Sequence, residues 1–144
     1  MGKYRIILAS HGKLAAGILN TVQMLLGELE NIEAYCLMPE EDVNEFAKKL
    51  ENEVKEHGAE NILFMTELIH GSPFNSVVGL TREYDIYHIS GTNLAMLMEV
   101  VLARNEEGIT LEQLCQRAIN VAPTSFVDVR KLLNASDDEE EDDE

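Results

Sequence analysis

Four times along the chain a short, continuously apolar run is followed by a segment whose apolar residues recur at helical spacing. No other feature limits the fold as much. Arg5-Ile6-Ile7-Leu8-Ala9 reads as a buried strand, Ile32 to Met38 as a second one closed by Pro39, Asn61 to Thr66 as a third, and Asp85 to Ser90 as a fourth. Behind them, Leu14, Ile18, Val22 and Leu25 share one helical face that Gly27 ends. Val43, Phe46, Ala47, Leu50 and Val54 share another, ended by Gly58. Ser72-Pro73 announces a short helix with Phe74, Val77 and Val78 on its buried side, Ser as its cap and Pro at its first position. Leu94, Leu97, Met98 and Val101 mark the helix after the fourth strand. Thr110 to Gln113 has capping-box spacing, and Leu111, Leu114 and Ala118 carry the apolar face onward.

A strand–helix alternation of this kind predicts an α/β fold, a doubly wound, mostly parallel four-stranded sheet with helices on both faces. Its common strand order is 2-1-3-4. Phe126-Val127-Asp128-Val129, just beyond Pro123, reads as a candidate final strand with no sequential partner, suited to seeking a sheet edge in a second copy.

The net charge of −16 is unevenly spread: residues 136–144 hold eight of the 27 acidic residues and no base. This tail is expected to be disordered by self-repulsion, leaving one domain over residues 1–135. That body still carries 19 acids against 11 Lys and Arg, which argues against nucleic acid and against anionic membrane surfaces as partners. Two cysteines, Cys36 and Cys115, make neither a disulfide framework nor a four-ligand zinc site and read as buried thiols. The opening apolar run is too short for a signal-peptide core and no run reaches membrane-spanning length, so the expected compartment is the cytoplasm.

Ligand sites in doubly wound sheets lie outside the carboxyl ends of the strands. Three loops meet that edge: Ser10-His11-Gly12, Glu67 to Pro73, and Gly91-Thr92-Asn93. His11 lies between a buried strand and a helix N-terminus, beside the small Gly12, where backbone N–H groups favour a phosphate. A neutral imidazole there can act as a nucleophile toward phosphorus. It needs a carboxylate on Nδ1 to leave the Nε2 lone pair free, and Glu67, at the end of the strand neighbouring the first, is the best-placed acid. Ser72 and the helix beginning at Pro73 would add further phosphate donors. From type and position alone, however, a lone loop histidine is more often an ordinary surface residue. His57, at a helix end, reads as structural, and His88, inside a strand, as packed or paired. His70 either assists at the active edge or is simply exposed. The four histidines are too scattered for a metal. No P-loop, dinucleotide fingerprint or nucleophile elbow occurs, so no cofactor is expected.

Ser10-His11-Gly12, Met24-Leu25-Leu26-Gly27, Gly71-Ser72-Pro73-Phe74-Asn75 and Gly91-Thr92-Asn93-Leu94-Ala95-Met96-Leu97, in this order and spacing, resemble the IIA component of the mannose family of the bacterial sugar phosphotransferase system. The likeness covers roughly residues 4 to 130, and it overturns the surface reading of His11. It implies that His11 is the phosphorylated nucleophile, accepting phosphate from the phosphocarrier protein HPr and passing it to a separate IIB protein for sugar uptake. The membrane enters only through the IIC and IID components. It also implies a homodimer in which a C-terminal strand joins the partner's sheet, Phe126 to Val129 being the candidate. Glu67 takes a position where better-known members carry Asp, and Leu68-Ile69-His70 departs from the family's usual loop. The related phosphotransferase subunit of dihydroxyacetone kinase, or a purely regulatory phosphohistidine module of the same fold, are the alternatives.

Overall fold

The computed structural model describes residues 3–142. Four parallel strands, β1 (Arg5–His11), β2 (Ile32–Leu37), β3 (Ile62–Thr66) and β4 (Tyr87–Ser90), form one sheet in the order β2-β1-β3-β4. This is the expected architecture. The central pair, β1 and β3, is apolar on both faces because both faces are covered. Ile6 and Leu8 point into one core with Leu63 and Met65, while Ile7 and Ala9 point into the other with Ile62 and Phe64.

Helices α1 (Leu14–Leu26), α4 (Leu94–Ala103) and α5 (Leu111–Val121) cover the first face, and α2 (Val43–His57) and α3 (Ser72–Leu80) the second. Local chemistry sets their starts. Asp42 Oδ1 accepts from Asn44 N at 2.7 Å, Asn93 Oδ1 from Met96 N at 2.9 Å, and Thr110 with Gln113 closes a reciprocal capping box. For α3 the expectation shifts by one residue: Gly71 is the N-cap, Ser72 the first helical residue and Pro73 the second.

Strand β1 is longer than its apolar run. Ser10 and His11 still pair with Cys36 and Leu37 of β2, so His11 is the last residue of a central strand rather than a free loop residue.

The candidate final strand is corrected. Phe126, Val127 and Asp128 are irregular, and Val129 begins α6 (Val129–Asp142). Asp128 accounts for the change. Its Oδ1 accepts from Lys131 N at 3.3 Å and its carbonyl from Leu132 N at 3.0 Å, so it caps a helix where its apolar neighbours suggested extension. The helix crosses most of the segment expected to be disordered, whose Glu residues are good helix formers; Asp143 and Glu144 lie outside the described residues. Every residue from Phe126 to Asp137 is exposed.

Candidate active site

The carboxyl ends of β1 and β3 bring His11 and Glu67 together as expected, and in a tighter geometry than a single contact. Glu67 Oε1 lies 3.0 Å from His11 Nδ1, and Glu67 Oε2 accepts the backbone N–H of His11 at 2.8 Å. One carboxylate thus holds both the ring and the main chain of the same residue. With Oε1 accepting, the Nδ1–H tautomer is favoured and the Nε2 lone pair is left free. The His11 side chain is 47% exposed, while that of Glu67 is only 16% exposed. The orienting carboxylate is shielded and the ring it holds is half exposed.

The turn after His11 is pinned from three directions. Gly12 N donates to Leu37 O at 2.8 Å, and the φ of +55° at Gly12 permits the elbow. Ser10, buried just before the histidine, accepts from Ala15 N with its Oγ at 2.7 Å and donates to Gly12 O at 3.3 Å. Ser10 therefore caps α1 from inside the strand end. A serine ahead of a helix is a cap signal, but this one acts across the intervening elbow, a distance that sequence spacing does not reveal. Since its amide is engaged, Gly12 offers an incoming phosphate space more than a donor. The helix amides beyond it, at Lys13 and Leu14, are of the kind left without intrahelical partners.

The loop from Glu67 to Gly71 forms the other wall. Gly71 abuts the Cε1 edge of the imidazole so closely that a Cβ there would stand 2.5 Å from His11 Cε1, 3.4 Å from Nε2 and 3.5 Å from Nδ1. Ser72 follows directly, so the start of α3 adjoins the ring. A turn joins Leu68 O to Gly71 N at 3.3 Å with His70 at φ +70°, a left-handed position usually given to Gly or Asn. His70 is exposed and meets the Phe74 ring edge-on at 5.5 Å. Leu14, Leu68 and Ile69 are exposed on these same two segments.

The remaining histidines lie elsewhere. His57 is at the end of α2, with Nε2 3.7 Å from Glu53 and 3.9 Å from Glu56. His88 is packed within β4, where burial pushes its pKa down to about 4. Among the described residues, no three His, Cys, Asp or Glu side chains gather into a metal-binding group. Gly71 is the site residue that reading the sequence missed. It stood in the Gly-Ser-Pro-Phe-Asn stretch, but its contact with the ring depends on the fold.

Residues 5–119 match the family model described as the PTS system fructose IIA component of the EIIA-man type. The chain is 34% identical over 117 residues to the sorbose-specific EIIA component of the PTS system of Klebsiella pneumoniae, a match spanning 81% of this chain and 84% of that one. It is 32% identical over 104 residues to the mannose-specific EIIAB component of Escherichia coli K12, covering 71% of this chain and 32% of that longer one. The structure of a phosphotransferase system EIIA component from Streptococcus agalactiae superimposes with a TM-score of 0.81 at 31% identity, covering 88% of this chain and 98% of the other. A mannose/sorbose-specific IIA subunit from Enterococcus faecalis gives a TM-score of 0.77 at 26% identity, covering 88% and 95% of the two chains.

Proposed function

Because the chain belongs to the mannose-type EIIA family of the sugar phosphotransferase system, we propose that it relays phosphoryl groups through His11, from phospho-HPr to a IIB protein. The observation that carries this reading is the bidentate hold of Glu67 on His11, with Nδ1 occupied on a side chain that is half exposed.

The chemistry follows from that geometry. Nε2 attacks the phosphorus of the donor's phosphohistidine. A P–N bond forms to His11 as the donor's P–N bond breaks, and that electron pair returns to the donor imidazole. The Nδ1 proton stays with His11, and the positive character that the ring gains is met by Glu67. Phosphoryl transfer of this sort asks the protein for placement and charge more than for covalent chemistry. The helix starts at Lys13–Leu14 and at Ser72, on either side of the ring, suit a phosphoryl group on Nε2, with Gly12 leaving room for it. The reverse sequence of events hands the group to IIB, and the sugar is phosphorylated during uptake through the IIC and IID membrane components. No helix among the described residues is long and apolar enough to cross a membrane, in keeping with a cytoplasmic relay. A homodimer is part of the proposal. The exposed Phe126, Val127, Val129, Leu132 and Leu133 supply an apolar surface for a second copy, now through a capped helix and the segment before it rather than an exchanged strand.

Incubation with phosphoenolpyruvate, enzyme I and HPr should add one acid-labile phosphoryl group, and a mannose-type IIB protein should then remove it. His11→Ala should accept none. Acceptance by that variant would overturn the assignment, and acceptance without onward transfer to IIB would point to a regulatory module.

A further inference from the structure

The loop that builds the site is anchored at both ends by one side chain that lies outside it. Residues 67–71 provide the Glu67 carboxylate and the Gly71 backbone at the Cε1 edge of the ring. At one end, Thr66 is fully buried, and its carbonyl accepts from Gly91 N at 3.0 Å, Thr92 N at 3.1 Å and Thr92 Oγ1 at 2.9 Å. Its hydroxyl donates to Ser90 Oγ at 3.0 Å and so accepts from His88 Nε2–H at 2.8 Å. At the other end, Phe74 in the first turn of α3 packs on the same imidazole, with ring centroids 5.3 Å apart at 47°.

His88 is not used by the transfer chemistry, and burying it has a cost. A polar ring inside a sheet gives up hydration, whereas a branched aliphatic residue would fill a strand position without that loss. Nor is it needed to satisfy Thr66, whose hydroxyl already has Ser90. What the imidazole adds is direction: a donor toward the residue before Glu67 and a tilted ring contact with Phe74 in the helix that follows Gly71. Burial disfavours the charged ring, and the Thr66 contact then sets the neutral tautomer, Nε2–H where the Thr66 hydroxyl donates to Ser90.

We infer that His88 is a positioning residue for the His11–Glu67 pair, setting through Thr66 and Phe74 the spacing between the carboxylate on Nδ1 and the glycine at the Cε1 edge, between which the His11 ring is held. This rests on the reading of His11 as the phosphoryl carrier.

The test uses the full chain with His88→Leu, which is close in bulk and lacks the donor, and with His88→Gln, whose amide can still donate to Thr66. Transfer from phospho-HPr is measured as kcat and KM separately, and the ¹⁵Nδ1 resonance of His11 is followed by NMR. His88→Leu is expected to lower kcat by about tenfold with KM within about twofold, and to move the His11 ¹⁵Nδ1 resonance; His88→Gln is expected to restore most of both. In a Glu67→Gln background, adding His88→Leu should cost less than about twofold, because the two act through the same contact. Unchanged kcat and resonance, or a full additional loss in the Glu67→Gln background, would overturn the inference. Should His88→Leu fail to fold, Phe74→Leu removes the other anchor and is held to the same expectations. The NMR measurement needs no phosphoryl donor. If His11 accepts no phosphate the transfer reading falls, while the resonance still decides whether His88 positions the pair.

Discussion

Gly71→Ala isolates the positioning of the nucleophile from the stability of the fold. Gly71 has φ −77°, an ordinary value for alanine, so the substitution introduces no backbone strain. Narrowing the unfolded ensemble stabilises the chain by about 0.4–1 kcal/mol, and the poorer fit of alanine at the N-cap of α3 offsets this by a similar amount. The added methyl, however, would lie 2.5 Å from His11 Cε1, where ordinary contact begins at 3.4 Å. Something must give by about 1 Å. The glycine is the N-cap of α3, and its carbonyl accepts from Asn75 N at 2.8 Å, so the backbone resists movement. The half-exposed imidazole does not, and it swings outward at the expense of the 3.0 Å contact between Nδ1 and Glu67. A displacement of about 1 Å at a reacting centre costs on the order of 10²-fold in rate. Quenched-flow transfer from phospho-HPr should therefore fall by about that factor while the thermal midpoint stays near that of the parent. Wild-type transfer would show that the ring tolerates the shift and that Nε2 need not be held by the glycine at the ring edge. A large fall in the midpoint, beyond the loss of a good N-cap, would mean that the glycine serves the fold and not the ring.

Three other outcomes are expected. Glu67→Gln keeps one acceptor but places an amide donor against either the backbone N–H or Nδ1–H of His11, so transfer from phospho-HPr should slow by ~10²–10⁴-fold with the circular dichroism spectrum unchanged. At the opposite edge of the sheet, Glu53 is buried. Burial alone would raise its carboxyl pKa, but the fork of Arg5 (2.6 and 2.9 Å) and the Tyr35 hydroxyl (2.6 Å) outweigh this and hold it below the usual range. Its folded pKa being depressed, the stability it contributes is complete above the unfolded carboxylate value and is lost as pH falls through the folded one. Glu53→Ala, which leaves Arg5 with the more exposed Glu33 at 3.7 Å and takes the acceptor from Tyr35, should cost about 1.5–3 kcal/mol in urea melts at pH 7 and flatten that acid dependence. Truncation after Ala135 should leave the rate of transfer from phospho-HPr unchanged, and a loss of transfer with the fold intact would assign docking to the acidic segment.

Much of this was legible from periodicity. Buried strands on both faces produce unbroken apolar runs, as in Ile62 to Met65, and amphipathic helices produce the 3–4 spacing seen from Phe46 to Val54, so element order and sheet class could be read directly. The C-terminal segment reads as a strand because Phe126, Val127 and Val129 favour extension by type, whereas its structure turns on Asp128 bonding to the backbone of Lys131, a local competition that periodicity does not register. The cap at Ser10 is hidden for a related reason: it reaches across the elbow at Gly12.

The pairing of His11 with Glu67 was also legible, since adjacent parallel strands must deliver their last residues to one place. Its bidentate form was not. The pairing of β1 with β3 ends at Ala9 and Thr66; continuing that register would set Ser10 beside Glu67, so the carboxylate reaches one residue farther along β1 to meet His11. The longer side chain of glutamate provides that reach and still leaves both oxygens in the plane needed to accept from the backbone N–H and from Nδ1. Aspartate would be one methylene shorter from the same backbone position. It could hold both atoms only if the loop to Gly71 moved inward, toward a ring that Gly71 already touches. The residue at position 67 and the width of the gap beside Gly71 are therefore one constraint. Glu67→Asp should impair transfer even though it preserves charge, and it should do so through the loop rather than through the acidity of the carboxylate.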